Sequence, residues 1–120
     1  MVVIALVIGT NYWINLQKSS TPPPPPPTQF VTIVAKETKF NVTNPQITVT
    51  TGSVGITIIN QDTVPHNFLI KEIPSASTNI LNPGQSQTIT VNFTSTGTYH
   101  YYCSIHPGLM DGTIQVVAKS

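Results

Sequence analysis

Apolar and polar residues alternate in short runs through most of the chain. Phe30–Ala35 and Gln46–Thr50 have a period of two, and Ser86–Phe93 sets Ile89, Val91 and Phe93 against Thr88, Thr90 and Asn92. Val54–Asn60 follows a Thr51-Gly52-Ser53 turn, and His66–Lys71, Gly97–Cys103 and Gly112–Ala118 complete the set. Successive side chains of a strand point to opposite faces, so this periodicity predicts strands with one buried side. Seven or eight of them, separated by turn residues, predict an all-β antiparallel sandwich or barrel. The longest connection, Glu72–Gln85, contains Pro74 and Asn82-Pro83-Gly84 and is expected to be irregular, with room for a short helical turn.

The first 29 residues follow other rules. Residues Val2–Leu16 are apolar except at Thr10, Asn11 and Asn15, and Lys18 follows. Fifteen helical residues span roughly 22 Å at about 1.5 Å each, short of the roughly 20 residues a bilayer core needs. No Ala-x-Ala-like cleavage site comes next, so residues 1–18 are expected to be a retained anchor helix rather than a cleaved export signal. The asparagines and the short span also suit packing within a larger membrane complex. Residues 19–29 contain six consecutive prolines, Pro22–Pro27. Proline fixes φ and lacks an N–H, so this run is expected to form an extended rod of roughly 19 Å. It is expected to be a stiff linker that holds a domain over residues 30–120 away from the membrane.

Charge narrows the function. Only 8% of the 120 residues are charged, the net charge is +1 and there is no arginine, so a nucleic-acid footprint is excluded. Thr, Ser, Asn and Gln replace charge, as suits an exported β protein. Asn41-Val42-Thr43 and Asn92-Phe93-Thr94 match the N-glycosylation pattern. The carboxylates Glu37, Asp62, Glu72 and Asp111 are scattered, and no nucleophile–base pair or phosphate-binding loop is present. No enzyme activity is expected.

A single stretch concentrates reactive chemistry. Cys103, the only cysteine, lies within eight residues of His106 and Met110. Thiolate, imidazole and thioether are the donors of copper electron-transfer sites, which use two nitrogens, one thiolate and a weak axial thioether. The second nitrogen must come from elsewhere, and His66, in Pro65-His66-Asn67-Phe68, is the candidate. His100, three residues before Cys103, is read as a surface or cross-strand residue. Tyr99, Tyr101 and Tyr102 are read as sheet packing. Gly108 and Pro107 are expected to shape the loop, and Gly112 to let the chain turn into its last strand.

Pro65-His66-Asn67-Phe68, Leu81-Asn82-Pro83-Gly84-Gln85-Ser86, Gly97-Thr98-Tyr99, Tyr102-Cys103-Ser104-Ile105-His106-Pro107 and Met110-Asp111-Gly112 together resemble the type 1 blue copper proteins. That is the cupredoxin family of plastocyanin, pseudoazurin and amicyanin, and the resemblance covers about residues 30 to 119. It implies a Greek-key β-sandwich with one copper per chain. His66, Cys103 and His106 would be the strong ligands and Met110 the weak axial one. Asn67 would tie the two ligand segments together. The loop departs from both relatives: amicyanin places two residues between its histidine and methionine, plastocyanin four, and this chain three. Counting forward from His106 by the amicyanin spacing selects Leu109 for the axis, whereas counting back from Gly112 selects Met110.

The resemblance further implies electron exchange through an exposed edge of His106, inside an apolar rim of Pro65, Ile105, Pro107 and Leu109. The expected function is therefore a membrane-tethered, extracytoplasmic carrier of single electrons, in the periplasm or at the cell surface. A cytochrome, a terminal oxidase or another copper enzyme would be its redox partner. The alternative is a non-catalytic subunit of a membrane or cell-surface complex in which copper is structural, stored or absent. Zinc would fit the same donors, but divalent copper binds them more strongly.

Overall fold

Alternation places strands where it predicts them, and the strands pair in two sheets. The structure, a computed structural model, describes residues 26–119. The anchor expected over residues 1–18 and most of the proline linker lie outside those residues. Among the described residues no helix is long and apolar enough to cross a membrane.

Among the described residues nine strands form: β1 (Gln29–Lys36), β2 (Lys39–Phe40), β3 (Ile47–Thr50), β4 (Gly52–Asn60), β5 (Leu69–Ile70), β6 (Ile73–Ser77), β7 (Ser86–Phe93), β8 (Gly97–Tyr102) and β9 (Asp111–Val117). One sheet has the order β2-β1-β4-β7 and the other β3-β9-β8-β5-β6. Ile33, Ala35, Val54, Ile56, Ile58, Val91 and Phe93 of the first sheet are buried, as are Val49, Ile70, Tyr101, Ile114 and Val116 of the second. These are the period-two positions, so hydrophobic burial fixes the register: a slip of one residue would turn each set to solvent.

The strand count and the pairing both differ from expectation. Nine strands replace seven or eight, and the sandwich is not purely antiparallel, because β1 pairs β4 and β3 pairs β9 in parallel. Parallel neighbours need long crossovers, which local alternation does not encode. The connection expected to be irregular, Glu72–Gln85, contains β6, which lies at the edge of its sheet and so tolerates Pro74. The strand expected over His66–Lys71 shrinks to Leu69–Ile70. His66 instead forms an isolated bridge, donating its N–H to Leu81 O (3.0 Å) and accepting from Leu81 N–H (2.7 Å).

Gly112 does not make a turn. It lies inside β9 opposite Tyr101, and a Cβ there would sit 2.2 Å from the Tyr101 ring. The glycine makes space for an aromatic ring. Of the two glycosylation patterns, Asn92 is exposed on β7, whereas the Asn41 side chain accepts from Val34 N–H (2.8 Å).

A candidate metal centre at one end of the sandwich

The site is assembled from two connections at the same end. β8 delivers Cys103, β9 starts just after Met110, and the residues between them form a closed turn. Cys103 N–H donates to Met110 O (3.1 Å), and Leu109 N–H to His106 O (3.2 Å). Gly108 has φ +81°, a conformation that glycine adopts without strain and that lets the turn close. The other arm, between β4 and β5, is shaped by the buried Asn60. Its amide donates to Val64 O (2.9 Å) and Leu81 O (2.8 Å), and its Oδ1 accepts from Asp62 N–H (2.9 Å). This folds the arm so that His66 points inward.

There the donors converge. Cys103 Sγ lies 3.9 Å from His66 Nδ1 and 3.6 Å from His106 Nδ1. One donor atom from each of the three residues falls within 4.8 Å of the others. A divalent ion about 2.3 Å from sulfur and about 2.0 Å from nitrogen, with near-trigonal angles, separates those donors by roughly 3.7 Å. The spacing therefore fits a single ion, and thiolate with two imidazoles fits copper. Cys103, His66 and Met110 are fully buried, and His106 is half-buried. The structure also separates the two axial candidates: Met110 is 0% exposed and faces the core, whereas Leu109 is 59% exposed and faces solvent.

Asn67 joins the two arms. Its Oδ1 accepts from Ser104 N–H (2.9 Å) and its Nδ2 donates to Ser104 Oγ (2.8 Å), next to Cys103. Asp62, one of the carboxylates that looked scattered, holds the far side of the His66 ring, with its Oδ2 2.8 Å from Nε2. Burial alone would raise the Asp62 carboxyl. The N–H of Thr38, the His66 ring and the N–H of Thr63 outweigh burial and hold it at about 2. Asp62 is thus ionised and can only accept, so Nε2 is the ring nitrogen that donates to it, and Nδ1 is the one that faces the Cys103 sulfur. Carboxylate-to-histidine bonds of this kind fix the orientation of metal-bound imidazoles. Sequence reasoning missed Asp62; its only trace was a position four residues before His66.

Below the site lies an aromatic layer. The rings of Phe40, Phe68 and Tyr101 meet at centroid distances of 5.5–5.6 Å. Tyr101 Oη donates to Pro45 O (2.6 Å), and burial pushes its hydroxyl up to about 12. Above the site, Pro65, Ile105, Pro107 and Leu109 are all exposed, and Val64 extends this rim. His100 is on the surface, paired with Glu72 at 2.5 Å, and does not join the cluster.

A model of the cupredoxin-like domain matches residues 3–116 of the chain. Amicyanin-alpha from Methylorubrum extorquens is 32% identical over 83 residues, covering 68% of each chain. Among solved structures, auracyanin from the photosynthetic bacterium Roseiflexus castenholzii superposes with a TM-score of 0.63 at 24% identity, covering 77% of this chain and 99% of that one. A reduced, Cu(I) form of an amicyanin variant gives a TM-score of 0.57 at 27% identity, covering 72% of this chain and 80% of that one. The fold, the family match and the cluster of His66, Cys103, His106 and Met110, typical of a type 1 copper site, converge on one conclusion: the chain belongs to the cupredoxin family.

Proposed function

We propose that this cupredoxin is a one-electron carrier, tethered to a membrane by its N-terminal segment and working on the extracytoplasmic side. The observation that carries the reading is the convergence of Cys103, His66 and His106 on one point at the end of a rigid sandwich, with Met110 buried beside them. Bound copper supplies the one-electron couple. The protein holds its donors in nearly fixed positions, through Asp62 on His66 and Asn67 on the Cys103 turn, which limits rearrangement between oxidation states.

His106 is the half-buried donor, and the exposed Pro65, Ile105, Pro107 and Leu109 of the two arms are apolar and uncharged. A small apolar rim suits brief docking to a redox protein, and few nearby charges imply weak dependence on salt. The apolar stretch Val2–Leu16 and the run of six prolines that follows it in the sequence support tethering.

Protein isolated from its native membrane tests the proposal by absorption and metal analysis. One copper per chain, an intense visible band that a reductant bleaches reversibly, and loss of that band in Cys103→Ser are expected. A colourless protein with stoichiometric zinc, or an unchanged band in Cys103→Ser, would refute it. Recovery in the soluble fraction after cell disruption would refute the tether alone.

A further inference from the structure

The segment Glu37–Asn44, outside both ligand arms, contacts both of them. It concentrates backbone strain: Glu37, Thr38, Asn41, Val42 and Asn44 all have φ between +45° and +71°. Asn tolerates this region, but a β-branched residue such as Thr38 or Val42 is an outlier there. Strain of this kind persists only where the surroundings fix it, and it clusters where geometry matters. Asn44 Oδ1 accepts from Phe40 N–H (2.7 Å), while Asn41 ties the segment to Val34. Phe40 anchors its centre in the aromatic layer.

Two bonds leave this segment toward the site. Thr38 N–H donates to Asp62 Oδ2 (2.8 Å), the same oxygen that meets His66 Nε2. Asn44 Nδ2 donates to Leu109 O (2.9 Å), at the peptide that leads into Met110.

We propose that Glu37–Asn44 is a bracket that sets the copper site's reduction potential, with Asp62 and Asn44 as its positioning residues. Through Asp62 it aims His66 Nδ1 and keeps a negative charge behind the imidazole, which favours the more highly charged oxidised ion. Through Leu109 O it fixes how closely Met110 approaches. The inference rests on the copper-carrier reading, and its test has one arm that needs no copper.

Three variants separate positioning from general support. Asp62→Asn keeps the shape and removes the charge. Asn44→Gly accepts the positive φ and removes the bond to Leu109 O together with the one from Phe40 N–H. Asn41→Gly also accepts its φ but removes only bonds to β1. Voltammetry of the copper protein should show the Cu(I)-to-Cu(II) affinity ratio rising about tenfold, ~59 mV for one electron, in Asp62→Asn. The rise should be at least threefold in Asn44→Gly and under twofold in Asn41→Gly. In the copper-free protein, hydrogen exchange read by mass spectrometry should quicken across residues 104–110 in Asn44→Gly but not in Asn41→Gly. Potentials within twofold of the parent in both Asp62→Asn and Asn44→Gly would overturn the bracket. So would equal shifts in all three variants, or exchange at 104–110 unchanged by Asn44→Gly. If the parent binds no copper, the carrier reading fails while the exchange result still decides whether the bracket exists.

Discussion

Gly112→Ala places a methyl group where the Tyr101 ring lies. The added Cβ would be 2.2 Å from both Cζ and Oη and 2.7 Å from Cε2, so the ring would have to move by more than 1 Å to reach ordinary contact. It has nowhere to go: Tyr101 is 1% exposed, stacks on Phe68 with 5.5 Å between centroids, meets Phe40 edge-on and donates to Pro45 O at 2.6 Å. Strand propensity alone favours alanine over glycine by roughly 0.5–1 kcal/mol. Overpacking costs about 1–3 kcal/mol, and leaving the buried Tyr101 hydroxyl without its acceptor about 1–3 more. The net expectation is a loss of about 3 kcal/mol, or roughly 12–24 °C in Tm for a domain of this size. Urea and thermal unfolding of the copper-free protein measure it, with Tyr101→Leu and the double variant completing a cycle. Leucine at 101 vacates the space, so the double variant should recover about 2 kcal/mol relative to the sum of the single changes. A Gly112→Ala protein as stable as the parent, or strictly additive changes, would show that the ring is not confined as described.

The site and the surface give further expectations. Met110→Leu should keep copper and raise the potential, whereas Leu109→Ala, at an exposed position, should leave it in place; voltammetry of the pair decides which residue lies on the axis, and a shift only in Leu109→Ala would reverse the assignment. Burial alone would raise the Glu72 carboxyl, but bonds from the His100 N–H and ring lower it below its usual 4.5. A lowered folded-state value stabilises above about pH 4.5 and ceases to as pH falls through it. Glu72→Gln should therefore cost ~0.5 kcal/mol at pH 7, kept small by solvent screening of this exposed pair, and the gap should close by about pH 3 in urea titrations. Removing copper should leave the fold intact, with an unchanged urea m-value, because the donors are positioned by the protein's own bonds. At a thousandfold excess over Kd, metal should add about 4 kcal/mol by linkage. A copper-free protein with a collapsed m-value would mean that the metal builds the site.

Legibility in the sequence followed locality. β7 and β8 were readable because alternation is a nearest-neighbour property. β2 has two residues and is too short to show a period, and Pro74 disguised β6. The parallel pairings of β1 with β4 and β3 with β9 depend on which distant strands meet, so no window of the chain contains them. Cys103, His106 and Met110 stood out because one loop carries them. The choice between Leu109 and Met110 needed the direction of two adjacent side chains, which the closed turn sets. Asp62 and Asn44 were invisible as site residues. Aspartate in a turn and asparagine before proline are ordinary loop choices, and only the folded positions bring them against His66 and Leu109 O.

The sparse charge of this chain gives Asp62 more weight than a carboxylate usually carries. The protein has four acidic and five basic side chains, and those that are exposed act through water and are screened within about a Debye length. Asp62 instead sits against the fully buried His66 ring, where the local dielectric is low and interactions are correspondingly stronger. With copper(II) bound, the Cys103 thiolate and Asp62 together balance two positive charges; with copper(I) the same cluster carries one net negative charge. Copper held there would therefore be biased toward its oxidised form by a carboxylate that meets only the far side of the His66 ring. Neutralising that group should move the equilibrium further than neutralising any of the exposed lysines among the described residues.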